Sequence, residues 1–409
     1  MAAQRALIVG AGLGGLRAAE SLRANGFAGE IVVVGDEPHP PYSRPPLSKE
    51  ALADEPSFDR LAFRVRAAAD DVVWRLGVRA EHADLDSREV VLAGGEVVGY
   101  DALVAATGVS ARRLPIPGPP PDAAGGRHVV RTLDDAVVLR AALVPGARVA
   151  ILGAGFIGCE VAATARALGC EVHAIALDER PMIRPLGPVL AAEVQRRHEA
   201  QGVVFHLGVG VSAFVGERRV EGVVLTDGTP LAADVVVEAL GSRPNTDLLE
   251  GNGLDLSDGV LTDAALRPLR GDRPVDGVAV VGDLARFPNR RFDERAWRVE
   301  HWSVPTDAGR RAGAVLAAHL AGSGYDEAVG AYWDLLPSFW SDQYDIRLQS
   351  YGMPGLADPG GIRVLEGALD GECVVGYHRG GELVGVVGVG MLRAVNAYRA
   401  TVGHPRPGG

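Results

Sequence analysis

The chain has almost no lysine and very little cysteine. Lys49 is the only lysine in 409 residues, so the other forty of the forty-one basic side chains are arginine. The three cysteines, Cys159, Cys170 and Cys373, show neither metal-ligand nor redox spacing. This pattern predicts no metal site, no structural disulfide and a reducing, cytoplasmic compartment.

Long apolar runs and an excess of positive charge are also missing. No run reaches membrane-spanning length, and the first residues lack the basic-then-apolar pattern of a signal peptide. The net charge of −11 argues against a general nucleic-acid binder, although it permits a local basic patch. We therefore expect a cytoplasmic, globular protein that binds neither membranes nor nucleic acid, with about two to four domains.

A dinucleotide-binding pattern opens the chain. The short, mostly apolar run Arg5–Val9 predicts a strand, and Gly10, Gly12 and Gly15 follow it in the spacing G-x-G-x-x-G, before a helix that Gly26 can cap. The next predicted strand, "EIVVVGDE", ends in Asp36 and Glu37, which can accept hydrogen bonds from a ribose. The context predicts a bound pyrophosphate at the helix N-terminus, against the alternative of a tight turn without a ligand.

The same pattern returns in the middle of the chain. Gly153, Gly155 and Gly158 repeat the spacing after a predicted strand at Arg148–Leu152. Two such units predict two dinucleotides and electron transfer between them. A duplicated fold in which one copy only packs is the alternative.

Seven collinear stretches give the chain a resemblance to a known family. They are "PPYSRPPLSKE" at 40–50, "DALVAATG" at 101–108, "GAGFIGCEVAATAR" at 153–166, "ALGSRPNTDLL" at 239–249, "VAVVGD" at 278–283, "VEHW" at 299–302 and "FWSDQY" at 339–344. The chain resembles the FAD-dependent NAD(P)H–ferredoxin reductases of bacterial oxygenase systems, which are putidaredoxin-reductase-like members of the pyridine nucleotide-disulfide oxidoreductase superfamily. Apoptosis-inducing factor is a more distant relative with the same architecture.

The resemblance implies an α/β fold with two Rossmann-like dinucleotide-binding domains, as in glutathione reductase, and a C-terminal α+β domain. The FAD domain would be discontinuous, at 1–112 and 242–322, with the NAD(P)H domain at 113–241 inserted into it. The C-terminal domain would span 323–409. Strand-like runs separated by glycine turns, such as "GECVVGYHRGGELVGVVGVG", agree with strands in that last part.

The resemblance also implies the residues that bind the two cofactors, FAD and NADH, with NADPH not excluded. Asp36 or Glu37 would hold the adenosine ribose, Asp283 the ribityl chain, and Trp340 would pack near the isoalloxazine unless it is simply a core aromatic. The full set is Gly10, Gly12, Leu13, Gly14, Gly15, Asp36, Glu37, Arg44, Lys49, Ala80, Ala106, Thr107, Gly108, Arg131, Gly153, Gly155, Phe156, Ile157, Gly158, Glu160, Asp178, Gly241, Gly282, Asp283, Glu300, His301, Trp302 and Trp340.

Two of these residues are predicted to act in catalysis. By the resemblance, Lys49 lies near the reactive edge of the flavin and pairs with Glu160, which can also accept a hydrogen bond from the nicotinamide carboxamide. An ammonium is a compact point charge, whereas a planar guanidinium would block the face that the hydride crosses. This accounts for the single lysine; an accident of codon bias is the alternative. For His301, contact with a ligand and satisfied packing both remain open.

The preference for NADH over NADPH is weakly marked. NADH-using relatives carry a glutamate at the end of the second unit's strand, and the position here is Ala176. Asp178 could reach the ribose instead, while Arg180 and Arg184 could meet a 2′-phosphate. We predict NADH.

A missing cysteine pair indicates how electrons leave. Disulfide reductases of the superfamily carry two cysteines soon after the first glycine motif, and residues 35–55 contain none. Since no cluster-binding cysteine set occurs either, the electrons would pass singly from FAD to a partner, a 2Fe-2S ferredoxin. The alternatives are an NAD(P)H oxidase, a quinone or nitrite-system reductase, and a redox-sensing protein like apoptosis-inducing factor.

A basic stretch is the candidate docking surface for such a partner. Ferredoxins are typically acidic, and an acidic reductase needs a locally positive face to bind one. The candidates are Arg290, Arg291, Arg295, Arg298, Arg310 and Arg311, diluted by Asp293 and Glu294. An ordinary charged surface is the alternative, and the sequence leaves the oligomeric state open.

Overall fold

A five-stranded parallel sheet carries the first glycine motif. In the computed structural model, which describes residues 4–324, 330 and 333–403, its strands run in the order Val278–Val280, Ala102–Ala105, Arg5–Val9, Glu30–Gly35 and Val73–Leu76. The helices Leu13–Ala24 and Ser303–Leu320 pack against it and against each other. Four of the strands are nearly continuous apolar runs because both faces of a covered parallel sheet are buried, whereas the edge strand Val73–Leu76 has no buried residue.

A second five-stranded parallel sheet carries the second motif. Its order is Val203–Leu207, Glu171–Ala176, Arg148–Leu152, Val235–Glu238 and Arg127–His128. The helices of this part are Leu133–Ala142, Phe156–Ala167 and Ile183–Ala200. Thr132 and Asp135 start the first of these with reciprocal capping hydrogen bonds, and Gly187 kinks the last with a positive φ of 69°.

The third sheet is antiparallel and lies in the C-terminal part of the chain. Its order is Ser338–Gln343, Ile346–Gly352, Glu382–Val389, Cys373–Arg379 and Ile362–Gly367. A short helix, Leu392–Ala397, packs against it. On Ser338–Gln343 the buried residues are Phe339, Ser341 and Gln343, because alternate side chains of a strand face the same side.

Shorter elements complete the described chain. The three-stranded sheets are Ala80–Asp84, Glu89–Leu92 with Val97–Gly99; Val211–Val215, Gly222–Leu225 with Pro230–Ala232; and Val260–Leu261, Ala285–Asn289 with Asp293–Arg298. The two-stranded pairs are Val109–Ala111 with Ser242–Pro244 and Leu269–Arg270 with Arg273–Pro274, and the short helices are Glu50–Ala53 and Phe58–Leu61. In the part of the chain that the structure describes, no helix is both long enough and apolar enough to cross a membrane.

Candidate active site

The first glycine loop uses its three glycines for three different purposes. Gly10 has a φ of +119°, and a Cβ there would lie 2.1 Å from the Ala106 carbonyl oxygen. A Cβ on Gly15 would lie 2.0 Å from the Gly10 carbonyl oxygen, so this glycine lets the helix start against the strand. A Cβ on Gly12 would meet no described atom within 4 Å. That open space faces a cavity at the helix N-terminus, and the N–H groups at such a terminus can bind an anion.

The second loop repeats this geometry closely. Gly153 has a φ of +106°, and a Cβ there would lie 2.2 Å from the Ala239 carbonyl oxygen. A Cβ on Gly158 would lie 2.1 Å from the Gly153 carbonyl oxygen. Gly155, like Gly12, has open space within 4 Å among the described residues. The two loops therefore offer the same kind of backbone cradle.

Both loops reach one cavity of about 720 Å³. Most of the predicted site residues line it, and they come from both parallel sheets and from the C-terminal sheet. Those that line it are Gly10, Gly12, Leu13, Gly14, Asp36, Glu37, Arg44, Lys49, Ala80, Ala106, Thr107, Gly108, Arg131, Gly155, Phe156, Ile157, Glu160, Gly241, Gly282, Asp283, Glu300, His301, Trp302 and Trp340. Gly15, Gly153, Gly158 and Asp178 are not among the residues that line it.

An acid with fixed partners lies at the first-loop end of the cavity. Glu37 accepts a hydrogen bond from the Tyr42 hydroxyl at 2.5 Å and forms an ion pair with Arg44. Arg44 also donates to the Arg131 carbonyl oxygen at 2.7 Å. These contacts hold the loop that contains Arg44 against the backbone at Arg131. The carboxylate of Glu37 is therefore positioned before any ligand arrives.

A partly buried carboxyl and an arginine face each other in the wall of the cavity. Arg131 approaches Asp283 to 3.3 Å, in the loop that follows the strand Val278–Val280. Burial raises the pKa of Asp283, and the charge of Arg131 opposes that rise. A hydroxyl-rich chain such as ribityl can donate to this carboxylate and accept from the arginine.

Lys49 and Glu160 form a buried ion pair beside the aromatic end of the cavity. Nζ of Lys49 lies 3.1 Å from Oε1 of Glu160, and their side chains are 7% and 4% exposed. Glu160 also accepts hydrogen bonds from the hydroxyls of Ser48, at 2.5 Å, and Ser341, at 2.6 Å. Burial raises the pKa of the Glu160 carboxyl, while Lys49 and the two hydroxyls pull it back down.

Tryptophan and histidine side chains complete this end. Lys49 Nζ lies 5.9 Å from the centroid of the Trp340 ring, which meets Trp302 edge to face at 5.3 Å. The ring of His301 packs on Phe339 at 5.1 Å, its Nδ1 has no partner among the described residues, and burial lowers its pKa to about 4. The His301 ring therefore packs on Phe339 and also leaves a neutral ring nitrogen without a partner in the cavity wall.

Comparisons with known proteins agree with this geometry. Residues 4–309 match the family described as "Pyridine nucleotide-disulphide oxidoreductase", and residues 338–407 match "Reductase C-terminal". The chain belongs to the pyridine nucleotide-disulphide oxidoreductase family. This membership confirms the predicted family and the predicted α/β fold class.

Relatives in this family and a solved structure cover nearly the whole chain. Rhodocoxin reductase of Rhodococcus erythropolis is 34% identical over 405 residues, covering 98% of this chain and 90% of the relative. The anthranilate 1,2-dioxygenase system ferredoxin–NAD(+) reductase component of Burkholderia cepacia is 37% identical over 406 residues, covering 98% and 95%. The covalent putidaredoxin reductase–putidaredoxin complex matches with a TM-score of 0.88, 31% identity and coverage of 98% and 93%.

This oxidoreductase departs from the family's descriptive name in its cysteines. Cys159, Cys170 and Cys373 are all free and buried, and none lies in residues 35–55. Burial raises the pKa of the Cys159 thiol, which keeps it protonated and unreactive. A dithiol route for electrons out of the cavity is therefore absent from the chain.

The residues that follow the strand Glu171–Ala176 of the second sheet differ from those that follow the strand Glu30–Gly35 of the first sheet. Ala176 is buried, Leu177 is 77% exposed, and Asp178 forms an ion pair with Arg184 at 3.0 Å. Arg180 donates to Gln195 at 3.3 Å. Of the three candidate determinants of nicotinamide preference, Asp178 and Arg184 are thus neighbours, whereas Arg180 bonds to Gln195.

The predicted basic patch is partly neutralised by its own surroundings. Arg298 pairs with Asp258 and Glu300, and Arg310 approaches Asp307 to 3.6 Å. Arg295 is exposed and stacks over the Trp297 ring at 4.6 Å, and Arg290 is also exposed. The remaining candidates, Arg291 and Arg311, donate to backbone oxygens of Val402 and Ala264.

Sequence reasoning missed three side chains that donate hydrogen bonds to the carboxylates of the site. Tyr42, Ser48 and Ser341 all contact the carboxylates described above, although each lies in a stretch that carries the family resemblance. For Ser341 the sequence held one signal: it lies two residues after Phe339, so both side chains face one side of a strand, and a hydroxyl buried there needs a partner.

Proposed function

We propose that this protein is an FAD-containing reductase that passes electrons from NADH to a 2Fe-2S ferredoxin, supplying a haem or Rieske oxygenase in the cytoplasm. One observation carries the proposal. The buried Lys49–Glu160 pair lines the same cavity that both glycine loops reach, so two dinucleotides would meet beside it. The free, buried cysteines are in keeping with a reducing compartment.

The residues present fit FAD along the first loop. The open space at Gly12 suits the pyrophosphate, Glu37 with its fixed partners suits the adenosine ribose, and Asp283 with Arg131 suits the ribityl chain. Trp340 and Lys49 would bound the isoalloxazine end. Bound FAD accepts two electrons at once from a nicotinamide and releases them one at a time, which matches a one-electron iron–sulfur acceptor.

The chain's own contribution to the reaction is positioning. Glu160 has two oxygens with about four acceptor positions, and three described donors occupy three of them. The remaining one can accept a hydrogen bond from a nicotinamide carboxamide and so select the face that is presented. Because a hydride moves directly between cofactors, no residue has to transfer a proton in that step.

Lysine suits this position better than arginine does. Its ammonium reaches Glu160 with one hydrogen bond and adds a single compact charge near the aromatic end. A planar guanidinium is wider and would intrude on the space between the two cofactors. We therefore assign the only lysine of the chain to charge placement in the cavity.

The named relatives and a group of exposed arginines support a ferredoxin as the partner. The similar proteins from Rhodococcus and Burkholderia are reductases, one of them named as a ferredoxin reductase, and the similar solved structure is a complex with putidaredoxin. We propose that Arg290, Arg295 and Arg310 contribute to a docking face for an acidic partner.

We also propose the domain division given by the sequence. The pair Val109–Ala111 and Ser242–Pro244 joins the two places where the chain would cross between the dinucleotide domains. The strand Val278–Val280 returns to the first sheet, in keeping with a discontinuous FAD domain at 1–112 and 242–322. The inserted NAD(P)H domain would be 113–241, and the C-terminal domain 323–409.

Rapid kinetics on the purified protein test the proposal. The protein should be yellow, NADH should reduce the flavin faster than NADPH, and cytochrome c reduction should depend on added 2Fe-2S ferredoxin. Fast turnover with oxygen or quinone without ferredoxin would instead favour an oxidase or quinone reductase. Very slow reduction with a long-lived complex would favour a redox sensor, and a colourless protein that cannot bind FAD would overturn all three.

A further inference from the structure

Four buried side chains form a continuous row of hydrogen bonds that ends on Glu160. His198 Nε2 lies 2.8 Å from Gln343 Oε1, Gln343 Nε2 lies 2.9 Å from Ser341 Oγ, and Ser341 Oγ lies 2.6 Å from Glu160 Oε1. The exposures are 0% for His198 and Ser341, 1% for Gln343 and 3% for Glu160. Water therefore has little access to this row.

The row joins three separate elements. His198 lies near the end of the helix Ile183–Ala200, and Glu160 lies on the helix Phe156–Ala167. Between them, Ser341 and Gln343 share the buried face of the strand Ser338–Gln343, with Trp340 between Phe339 and Ser341 on the same strand. The C-terminal sheet thus contributes Trp340 to the cavity wall and also contacts the Glu160 carboxylate, which lines the same cavity.

The chemistry of the groups fixes the direction of every bond in the row. An ionised Glu160 can only accept, so the single proton of the Ser341 hydroxyl goes to it. Ser341 must then accept from the amide nitrogen of Gln343, which also lies 3.2 Å from Met182 Sδ. The amide oxygen of Gln343 consequently faces His198, whose Nε2 must carry a proton.

The state of His198 agrees with that direction. Burial lowers its pKa, and its Nδ1 has no hydrogen-bond partner in the described chain. A neutral ring with the proton on Nε2 satisfies both observations, since a proton on Nδ1 would be buried without an acceptor. All three donors therefore point the same way, towards the carboxylate.

We propose that His198, Gln343 and Ser341 form a one-way relay that positions the Glu160 carboxylate against Lys49. The relay fixes one rotamer of Glu160 and reserves its remaining acceptor position for the cavity. These three are positioning residues, because they act on a nicotinamide through Glu160 and do not themselves contact it. The last step, from a fixed Glu160 to faster flavin reduction, rests on the proposed function.

Ser341→Ala is the direct test, and the chain offers a matched control. Ser350 lies on the neighbouring strand of the same sheet, is equally buried at 0% exposure, and its hydroxyl has no partner among the described residues. Ser341→Ala should slow flavin reduction by saturating NADH by about tenfold, because a hydrogen bond to a charged group is lost. Ser350→Ala should leave that rate within about twofold, and neither change should alter reduction by dithionite.

The other members of the relay should show a graded effect. Gln343→Leu should slow the reaction nearly as much as Ser341→Ala, and His198→Phe less, because its loss reaches Glu160 through two intermediates. Tyr344→Phe is the control for the histidine, since the Tyr344 ring lies 5.1 Å from His198 and its hydroxyl is unpaired within the described residues. Equal effects of Ser341→Ala and Ser350→Ala, or loss of FAD in both Ser341→Ala and Gln343→Leu, would overturn the relay.

A double-mutant cycle tests the relay without any catalytic readout. The free energy of unfolding should fall more when Ser341→Ala is made in the natural chain than when it is made with Glu160→Gln, whereas Ser350→Ala should be additive with Glu160→Gln. Additivity for Ser341 would also overturn the relay. If the coupling is present but Glu160→Gln leaves flavin reduction unchanged, the relay stands and the proposed role of Glu160 in the reaction fails.

Discussion

The two glycine loops have nearly the same backbone but different surroundings. Built Cβ atoms would clash at 2.1 and 2.2 Å at the first glycines and at 2.0 and 2.1 Å at the third. Beyond the loops the likeness ends. In the first sheet, the strand Glu30–Gly35 leads to Glu37, which lines the cavity with Tyr42 and Arg44 as partners. In the second sheet, the corresponding strand Glu171–Ala176 ends in buried Ala176 and is followed by exposed Leu177.

This difference indicates which nucleotide stays and which one exchanges. A ligand along the first loop would meet preformed polar groups at Glu37 and at Asp283, and preorganised sites of this kind hold a cofactor tightly. A ligand at the second loop would meet the cavity at Gly155 and extend towards half-exposed Asp178. We infer a resident FAD at the first loop and a substrate-like NADH at the second.

Substituting the second glycine of each motif, Gly12 or Gly155, should give the largest difference between the two nucleotide sites. Gly12 and Gly155 have ordinary φ values of −86° and −80°, so valine can be introduced without backbone strain. Gly12→Val should give a folded but colourless protein. Gly155→Val should stay yellow while its reduction by NADH falls by about 100-fold. Flavin absorbance and stopped-flow kinetics measure both effects, and colour loss in both variants would break the distinction.

Lys49→Arg tests the place where the two nucleotides would meet. The charge is kept, but the guanidinium is wider than the ammonium, so FAD should remain bound while reduction by NADH slows by about 100-fold. Arg60→Lys is the control, since its ion pair with Asp54 is exposed and outside the cavity. A normal rate for Lys49→Arg would mean that the single lysine reflects codon usage.

Substituting the third glycine of each motif, Gly15 or Gly158, should destabilise both loops to a similar extent. Gly15→Ala and Gly158→Ala each force a Cβ against a backbone oxygen, so both should lower the free energy of unfolding by about 1–3 kcal/mol. Thermal denaturation with excess FAD checks this. A stable Gly158→Ala beside an unstable Gly15→Ala would show that the second loop is more adaptable than the first.

Asp178→Asn should produce a smaller change, confined to the second loop. Removing the carboxylate releases Arg184 from its ion pair and leaves it available to a 2′-phosphate. The ratio of kcat/KM for NADH to that for NADPH should fall, by less than about tenfold because the pair is exposed. Unchanged FAD content is expected, and an unchanged ratio would place the determinant elsewhere.

Arg295→Gln should have the smallest effect and should spare both nucleotide sites. We expect about a twofold weaker reaction with an acidic ferredoxin at low ionic strength, and no difference at high salt, where surface charges are screened. Reduction of the flavin by NADH should be unaffected. An effect that persists at high salt would argue against a docking role based on charge.

Short-range features of the fold could be predicted closely from the sequence. The strands Arg5–Val9 and Arg148–Leu152 occur at the predicted residues, and the C-terminal runs form the strands Cys373–Arg379 and Glu382–Val389. Gly26, predicted to end the first helix, has a φ of +86° just after it. Such features depend on neighbouring residues, whose steric limits and apolar spacing are written in the chain.

The candidate site was harder to predict because its contacts join distant residues. The family resemblance predicted that Lys49 pairs with Glu160, 111 positions away. It did not predict that Ser341, 181 positions from Glu160, donates to the same carboxylate, or that Tyr42 and Arg44 hold Glu37. Local spacing carries no information on which side chains meet when separate sheets pack.

The sequence by itself determined the two glycine loops, the strand and helix around each, and the one position that keeps an ammonium. Only the tertiary structure decided that both loops open into a single cavity and that a row from His198 ends on Glu160. The physical reason is that glycine spacing acts through local backbone sterics, whereas a buried carboxylate is stabilised by whatever donors the packing of three sheets brings within reach.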